Sequence, residues 1–151
     1  SEGIVKMDFV LHPLKGANDL EFGMDEQTVH RRMGIVPEKF TQHGQSFASD
    51  HYVDEGALAY YDDNGHLEAF EVTEPSRALL GGVDILALPV RQALSFVNQI
   101  DPDAVIDHEG ATSHKYSLAI WCPHLGDEED EEPVEAVLVG RANYYPLPTE
   151  P

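Results

Sequence analysis

Two periods of apolar residues divide this chain. A helical period is clearest at residues 89–100, where Val90, Ala93, Leu94, Val97 and Ile100 recur at i, i+3, i+4, i+7 and i+10. Pro89 fits the first helical position, where its missing N–H costs nothing, and Asp101-Pro102 ends the run. A shorter helix is predicted from Asp25 to Gly34. Asp25 can accept from the free amides of the first turn, Glu26 faces the positive end of the dipole, and Arg31 and Arg32 fall in the last turn. Gly34 suits a left-handed cap, and Pro37 forbids continuation. A strand period marks residues 50–53, 57–61, 67–72, 117–121 and 134–139. Asn64-Gly65, which takes positive φ cheaply, joins the second and third of these as a hairpin.

The order of these segments repeats. Phe22-Gly-Met-Asp25 matches Leu86-Ala-Leu-Pro89 before each helix. Ala57-Leu-Ala-Tyr-Tyr-Asp62 matches Ser117-Leu-Ala-Ile-Trp-Cys122, and Leu67-Glu-Ala-Phe-Glu-Val72 matches Val134-Glu-Ala-Val-Leu-Val139. The expectation is an α+β fold: a single domain over residues 1–151, built of two helix-plus-antiparallel-strand repeats at about 20–72 and 84–140. The helices are expected to pack on one face of a curved antiparallel sheet.

Charge changes what the fold can be used for. The 28 Asp and Glu against 9 Lys and Arg give a net charge of −19. Nine cations spread over the whole length form no stripe that tracks a phosphate backbone, which argues against nucleic acid, and an anionic membrane surface is excluded for the same reason. With 42% hydrophobic and 9% aromatic residues the acidity does not imply disorder. The longest apolar run is far below the roughly 18 residues of a membrane span, and the start lacks the basic and apolar regions of a signal peptide. One cysteine, Cys122, allows no internal disulfide, so a reducing, cytoplasmic setting is expected.

The string Leu20-Glu-Phe-Gly-Met-Asp-Glu-Gln-Thr-Val29, followed by Met33-Gly34 and Pro37, resembles a "Gly-Met-Thr-x-x-x-Val…Leu-Gly-x-Pro" opening. That opening is shared by the β-lactamase inhibitor protein and the small lipoproteins of outer-membrane assembly. Tyr60-Tyr-Asp-Asp-Asn-Gly-His-Leu-Glu-Ala-Phe-Glu71 is similar to a "Tyr-Tyr-Asp-x-x-Gly-x-x-Glu-Ala-Ile-Glu" hairpin of small bacterial proteins. The resemblance covers about residues 20–140 and implies a tandem-repeat fold that binds proteins through its sheet. It departs from the lipoproteins in having no cysteine near the start, and from the inhibitor in having no pair of disulfides.

No catalytic constellation stands out. The eight histidines include no His-x-x-x-His on a helix, and side-by-side pairs such as Asp50-His51 and Asp107-His108 point to opposite faces of a strand. Asp62-Asp63-Asn64-Gly65 lacks the ligand spacing of a calcium loop, and Gly81-Gly82 lacks the residues of a phosphate loop. Cys122 with His124 is a nucleophile pair only if nearby carboxylates leave the thiol acidic. Catalytic residues, metal ligands and cofactors are therefore read as none.

The binding reading has named residues. If the helices cover the face of Leu58, Tyr60, Leu118 and Ile120, then Tyr61 and Trp121 stand together on the open face, as large aromatics do at binding hot spots. Asp62 and Asp63 follow the first. The run Asp127, Glu128, Glu129, Asp130, Glu131 and Glu132 follows the second as an acidic hairpin arm. The bland alternative is that a loop or the tail, with Tyr144-Tyr145 as filler, covers this face and the acidic run is only solvated. The sequence thus points to a non-enzymatic module for a basic protein partner, in concrete form an intracellular immunity-type inhibitor of a basic bacterial toxin. The alternatives are a small metal-dependent or hydrolytic enzyme using His108, His114 and nearby carboxylates, or a housekeeping domain that merely tolerates acidity.

Overall fold

The computed structural model describes residues 6–123 and 133–146. Three strands come first: β1 (Asp8–His12), β2 (Gly16–Ala17) and β3 (Leu20–Glu21). Helix α1 (Glu26–Met33) leads into β4 (Glu38–Phe40), β5 (Ser49–Tyr52), β6 (Ala57–Tyr61) and β7 (Leu67–Thr73). Then follow β8 (Arg77–Leu80), β9 (Val83–Asp84), a 3-10 turn (Ile85–Ala87) and helix α2 (Val90–Ile100). The last strands are β10 (Val105–Asp107), β11 (Gly110–Ser113), β12 (Leu118–Trp121) and β13 (Ala136–Gly140).

Local signals set the helix ends. The Asp25 carboxylate accepts from the Thr28 amide at 2.8 Å, and Gly34, at φ 67°, donates its N–H back to the His30 carbonyl at 3.0 Å. In α2, Val90, Ala93 and Val97 are buried, with Leu94 and Ile100 partly so, as the stripe requires. Pro89 caps this helix from extended backbone, one place before the first helical residue. The Asp62 carboxylate accepts from the Asn64 and His66 amides, both at 2.9 Å, and closes the β6–β7 turn around Gly65.

The sheets overturn the expected architecture. The protein is mostly β and contains two sheets among its described residues. Strands β10-β11-β12-β13-β7-β6-β5-β4 form one antiparallel sheet in that order, and β3-β2-β1-β8-β9 form a second, mixed sheet. The pair β1·β8 is parallel and joins residues nearly seventy positions apart, with the Arg77 guanidinium gripping Asp8 through two 2.7 Å bonds. Two helix-plus-strand repeats with helices laid over a single sheet are not what forms. The second sheet contributes much of the cover: Phe9 of β1 packs on Phe70 of β7 with ring centroids 5.1 Å apart, and β2 lies against β7 and β13. The physical reason is length. Strands of two to four residues, such as β2, β3, β9 and the largely polar β4, are too short to show a period, yet paired in a sheet they satisfy their backbone.

One apolar core joins both sheets and both helices. Leu11, Leu20, Val29, Phe70, Ile85, Val97, Leu118 and Val139 are all buried in it. Each such large side chain contributes roughly 1.5–3 kcal/mol over leaving it in water.

Candidate functional site

Register decides which residues of the eight-stranded sheet face outward. Ala59 sits opposite Phe70, Phe70 opposite Val139, and Val139 opposite Leu118, and all four are buried in the core. The neighbouring row, Leu58, Glu71, Leu138 and Ala119, therefore lies on the outer face. Trp121 belongs to that outer face and is 44% exposed.

Tyr61 does not. Two residues on from the buried Ala59, it shares that inner face, lies opposite Leu67 beyond a register shift, and its ring enters the core, 2% exposed. The expected pairing of Tyr61 with Trp121 on one open face is thus corrected. The run Ala57-Leu-Ala-Tyr-Tyr carries apolar residues on both faces, so alternation could not say which face was inside. The Tyr61 end of the sheet is also the wrong end. Tyr61 aligns with Leu67 at the start of β7, whereas Trp121 aligns through Ala136 with Thr73 at its finish, about 20 Å away at about 3.3 Å per residue. Asp62 is engaged in its own turn, and the Asp63 carboxylate accepts from the Ser46 hydroxyl at 2.7 Å. Asp127, Glu128, Glu129, Asp130, Glu131 and Glu132 lie outside the described residues.

What the sheet does bring together is a groove of about 530 Å³ on the outer face. Its small members Ala119, Ala136 and Thr112 leave depth between Trp121 of β12 and Tyr145 of the C-terminal segment. Among the described residues four carboxylates line it, Glu71, Asp107, Glu109 and Glu135, and neither Lys nor Arg does. The Asp107 Oδ1 atom accepts from the Glu109 and Gly110 amides at 2.8 and 3.1 Å, which tightens the β10–β11 turn. Gly110 is required there: its φ is +148°, and a Cβ would stand 2.0 Å from the Ile120 carbonyl oxygen.

Glu71 is buried deeply enough to change its titration. Burial pushes its carboxyl above the usual range, and the nearby Glu135 charge adds to this. The Tyr60 hydroxyl, which donates to Oε1 at 3.0 Å, and His51 partly offset the rise. Residues 141–146, after β13, fold over the neighbouring part of the face. Tyr144 rests against Gly140 and meets Tyr145 edge-on at 5.1 Å, while His114 Nδ1 lies 3.0 Å from the Tyr145 carbonyl oxygen. Burial, then Tyr144 and Glu71, push the Tyr145 hydroxyl up to about 12. Among the described residues, Tyr144 and Tyr145 therefore cover part of the outer face, and Trp121 stays 44% exposed.

A second polar cluster surrounds Asp50, whose side chain is fully buried. Its carboxylate accepts from Lys39 Nζ at 2.5 Å and from the Tyr61 hydroxyl at 2.5 Å, and lies 2.7 Å from His30 Nε2. The Lys39 ammonium also lies over the Tyr61 ring at 5.3 Å. Sequence reasoning misses this cluster because its members come from α1, β4, β5 and β6.

Other candidate chemistry is placed as follows. The Cys122 thiol is buried and pushed up to about 11 by that burial, so it stays protonated near neutral pH. His124, its expected partner, lies outside the described residues. Among the described residues no three His, Cys, Asp or Glu side chains are grouped to hold a metal ion, His108 and His114 included. Nor is any described helix long and apolar enough to cross a membrane.

No family model, curated protein or solved structure matches this chain.

Proposed function

We propose that this chain is a non-enzymatic acidic module that takes a basic protein partner on the outer face of its eight-stranded sheet. In its most concrete form it is a cytoplasmic immunity-type inhibitor that occludes the working surface of a cationic toxin. The observation that carries the reading is the groove itself: among the described residues, four carboxylates, an exposed tryptophan and no lining cation. An aromatic anchor ringed by charge of one sign is the composition of a hot spot for a partner of the other sign. The net charge of −19 raises the encounter rate with such a partner and makes it salt-sensitive. A buried free cysteine is at home in a reducing compartment.

The test is to identify proteins from the source cell that bind at about 50 mM salt and release at high salt, then to rebuild the complex from purified components. The expected result is a stoichiometric complex with a basic protein that weakens at least about tenfold in Trp121→Ala. Absence of a basic partner, or a complex indifferent to both salt and Trp121→Ala, overturns the reading.

A further inference from the structure

We infer that the outer-face groove is a receptor for one arginine side chain presented by the partner. This rests on the reading of the chain as a binder of basic proteins, and adds which cation the groove recognises.

Three features favour arginine. The groove combines aromatic and carboxylate residues in one concavity: Trp121 and Tyr145 line it together with the carboxylates of Glu71, Asp107, Glu109 and Glu135. A guanidinium is planar, stacks on an aromatic face, and still directs five N–H donors sideways at carboxylate oxygens. A lysine ammonium is a compact, strongly hydrated point charge that cannot do both at once. The acceptors are also unequal in a way that suits a weakly hydrated cation. Glu71 is half-buried near the tail and already holds the Tyr60 hydroxyl, so its carboxylate gains most from a cation that tolerates desolvation. Finally, the volume of about 530 Å³ is small for a protein surface but within the range that holds a ligand-sized group.

Charge excludes the other occupants. A second copy of this chain brings another −19, and a nucleic acid brings phosphates, so both are repelled from a groove lined by four carboxylates.

Trp121 is the sole tryptophan of the chain, so its emission reports on the groove directly. The experiment titrates the full-length protein at low ionic strength with three capped five-residue peptides. They share a glycine–alanine frame and carry arginine, lysine or citrulline at the centre. Saturable change in Trp121 emission is expected with the arginine peptide, at least about fivefold weaker binding with lysine, and none with citrulline. The double variant Glu71→Gln and Glu135→Gln, checked to be folded by its circular dichroism spectrum and a cooperative melt, is expected to lose at least about tenfold in arginine affinity. Equal titration by arginine and lysine, or no response to arginine in the native protein, overturns the inference, and neither outcome depends on the variant folding. The two readings fail separately. A basic partner that binds and depends on Trp121 while the arginine peptide does not bind sinks only this inference. Arginine binding without any protein partner sinks only the reading beneath it.

Discussion

Replacing Asp50 by alanine is expected to destabilise the fold by roughly 2–4 kcal/mol. The magnitude follows from three of its neighbours taken separately. The Tyr61 hydroxyl is buried with its ring and accepts no substitute from solvent, so losing Asp50 leaves a donor unsatisfied at a cost of about 1–3 kcal/mol. Lys39 is 37% exposed and keeps Glu26 at 3.2 Å and the Ala48 carbonyl, so its loss is that of a surface pair, about 0.2–1 kcal/mol. His30 is exposed to a similar degree and is counted the same way. For a chain of this size each kcal/mol lowers Tm by about 2–4 °C, so the variant should melt roughly 5–15 °C earlier. Asp50→Asn keeps one acceptor oxygen and should lose about half as much. Urea melts followed by circular dichroism and by Trp121 emission measure both. A loss under about 1 kcal/mol for Asp50→Ala, with an unchanged m-value, would refute the claim that this carboxylate ties α1 to β4, β5 and β6.

Four further outcomes are expected. Tyr61→Ala should cost about 3–5 kcal/mol while Trp121→Ala stays within about 1 kcal/mol, since one ring is core and the other half in water; comparable losses in denaturant melts would contradict this assignment of the two faces. Cys122 should react with an aromatic disulfide at pH 8 about a hundredfold or more slower in the native than in the unfolded protein, because a thiol pushed up to about 11 carries almost no thiolate; similar rates would contradict its burial. Glu71, faced by Tyr60, His51 and Glu135, binds its proton more tightly folded than unfolded, so its contribution to stability falls as pH rises from the ordinary glutamate range through its raised value. Melting temperatures of wild type against Glu71→Gln across that range should diverge in favour of the variant at higher pH, and divergence in the opposite sense would count against the buried carboxyl. Gly110→Ala should cost at least about 1–3 kcal/mol in the same melts, since its φ of +148° and the 2.0 Å approach to the Ile120 carbonyl leave no room for a Cβ; near-neutral stability would mean the β10–β11 turn is not as described.

Features controlled by neighbours in sequence are legible from the residues alone. The ends of α1 are, because Asp25 and Gly34 act on backbone groups three or four residues away. So are the turn at Asn64-Gly65 and the apolar stripe of α2, each a property of a short window. Net charge is legible too, since it depends on composition alone. Alternation puts Trp121 on the outer face, where it lies, and puts Tyr61 there as well, where it does not lie. Both strands are apolar on each face, so alternation alone did not fix the inner one: β12 buries Leu118 and Ile120, whereas β6 buries Ala57, Ala59 and Tyr61.

Tertiary structure alone decided the rest. It paired β1 with β8 across nearly seventy residues and placed β7 beside β13 at the centre of the larger sheet. That second pairing puts Glu71 of the first half near Glu135 of the second, and with them the carboxylates of β10 and the β10–β11 turn, Trp121 of β12 and Tyr145 of the tail. No window of sequence contains that groove. The chain by itself determined how much negative charge it carries and which short segments curl or extend. Where that charge becomes concave and meets an aromatic ring is a matter of sheet order, which is set by long-range burial rather than by any local preference.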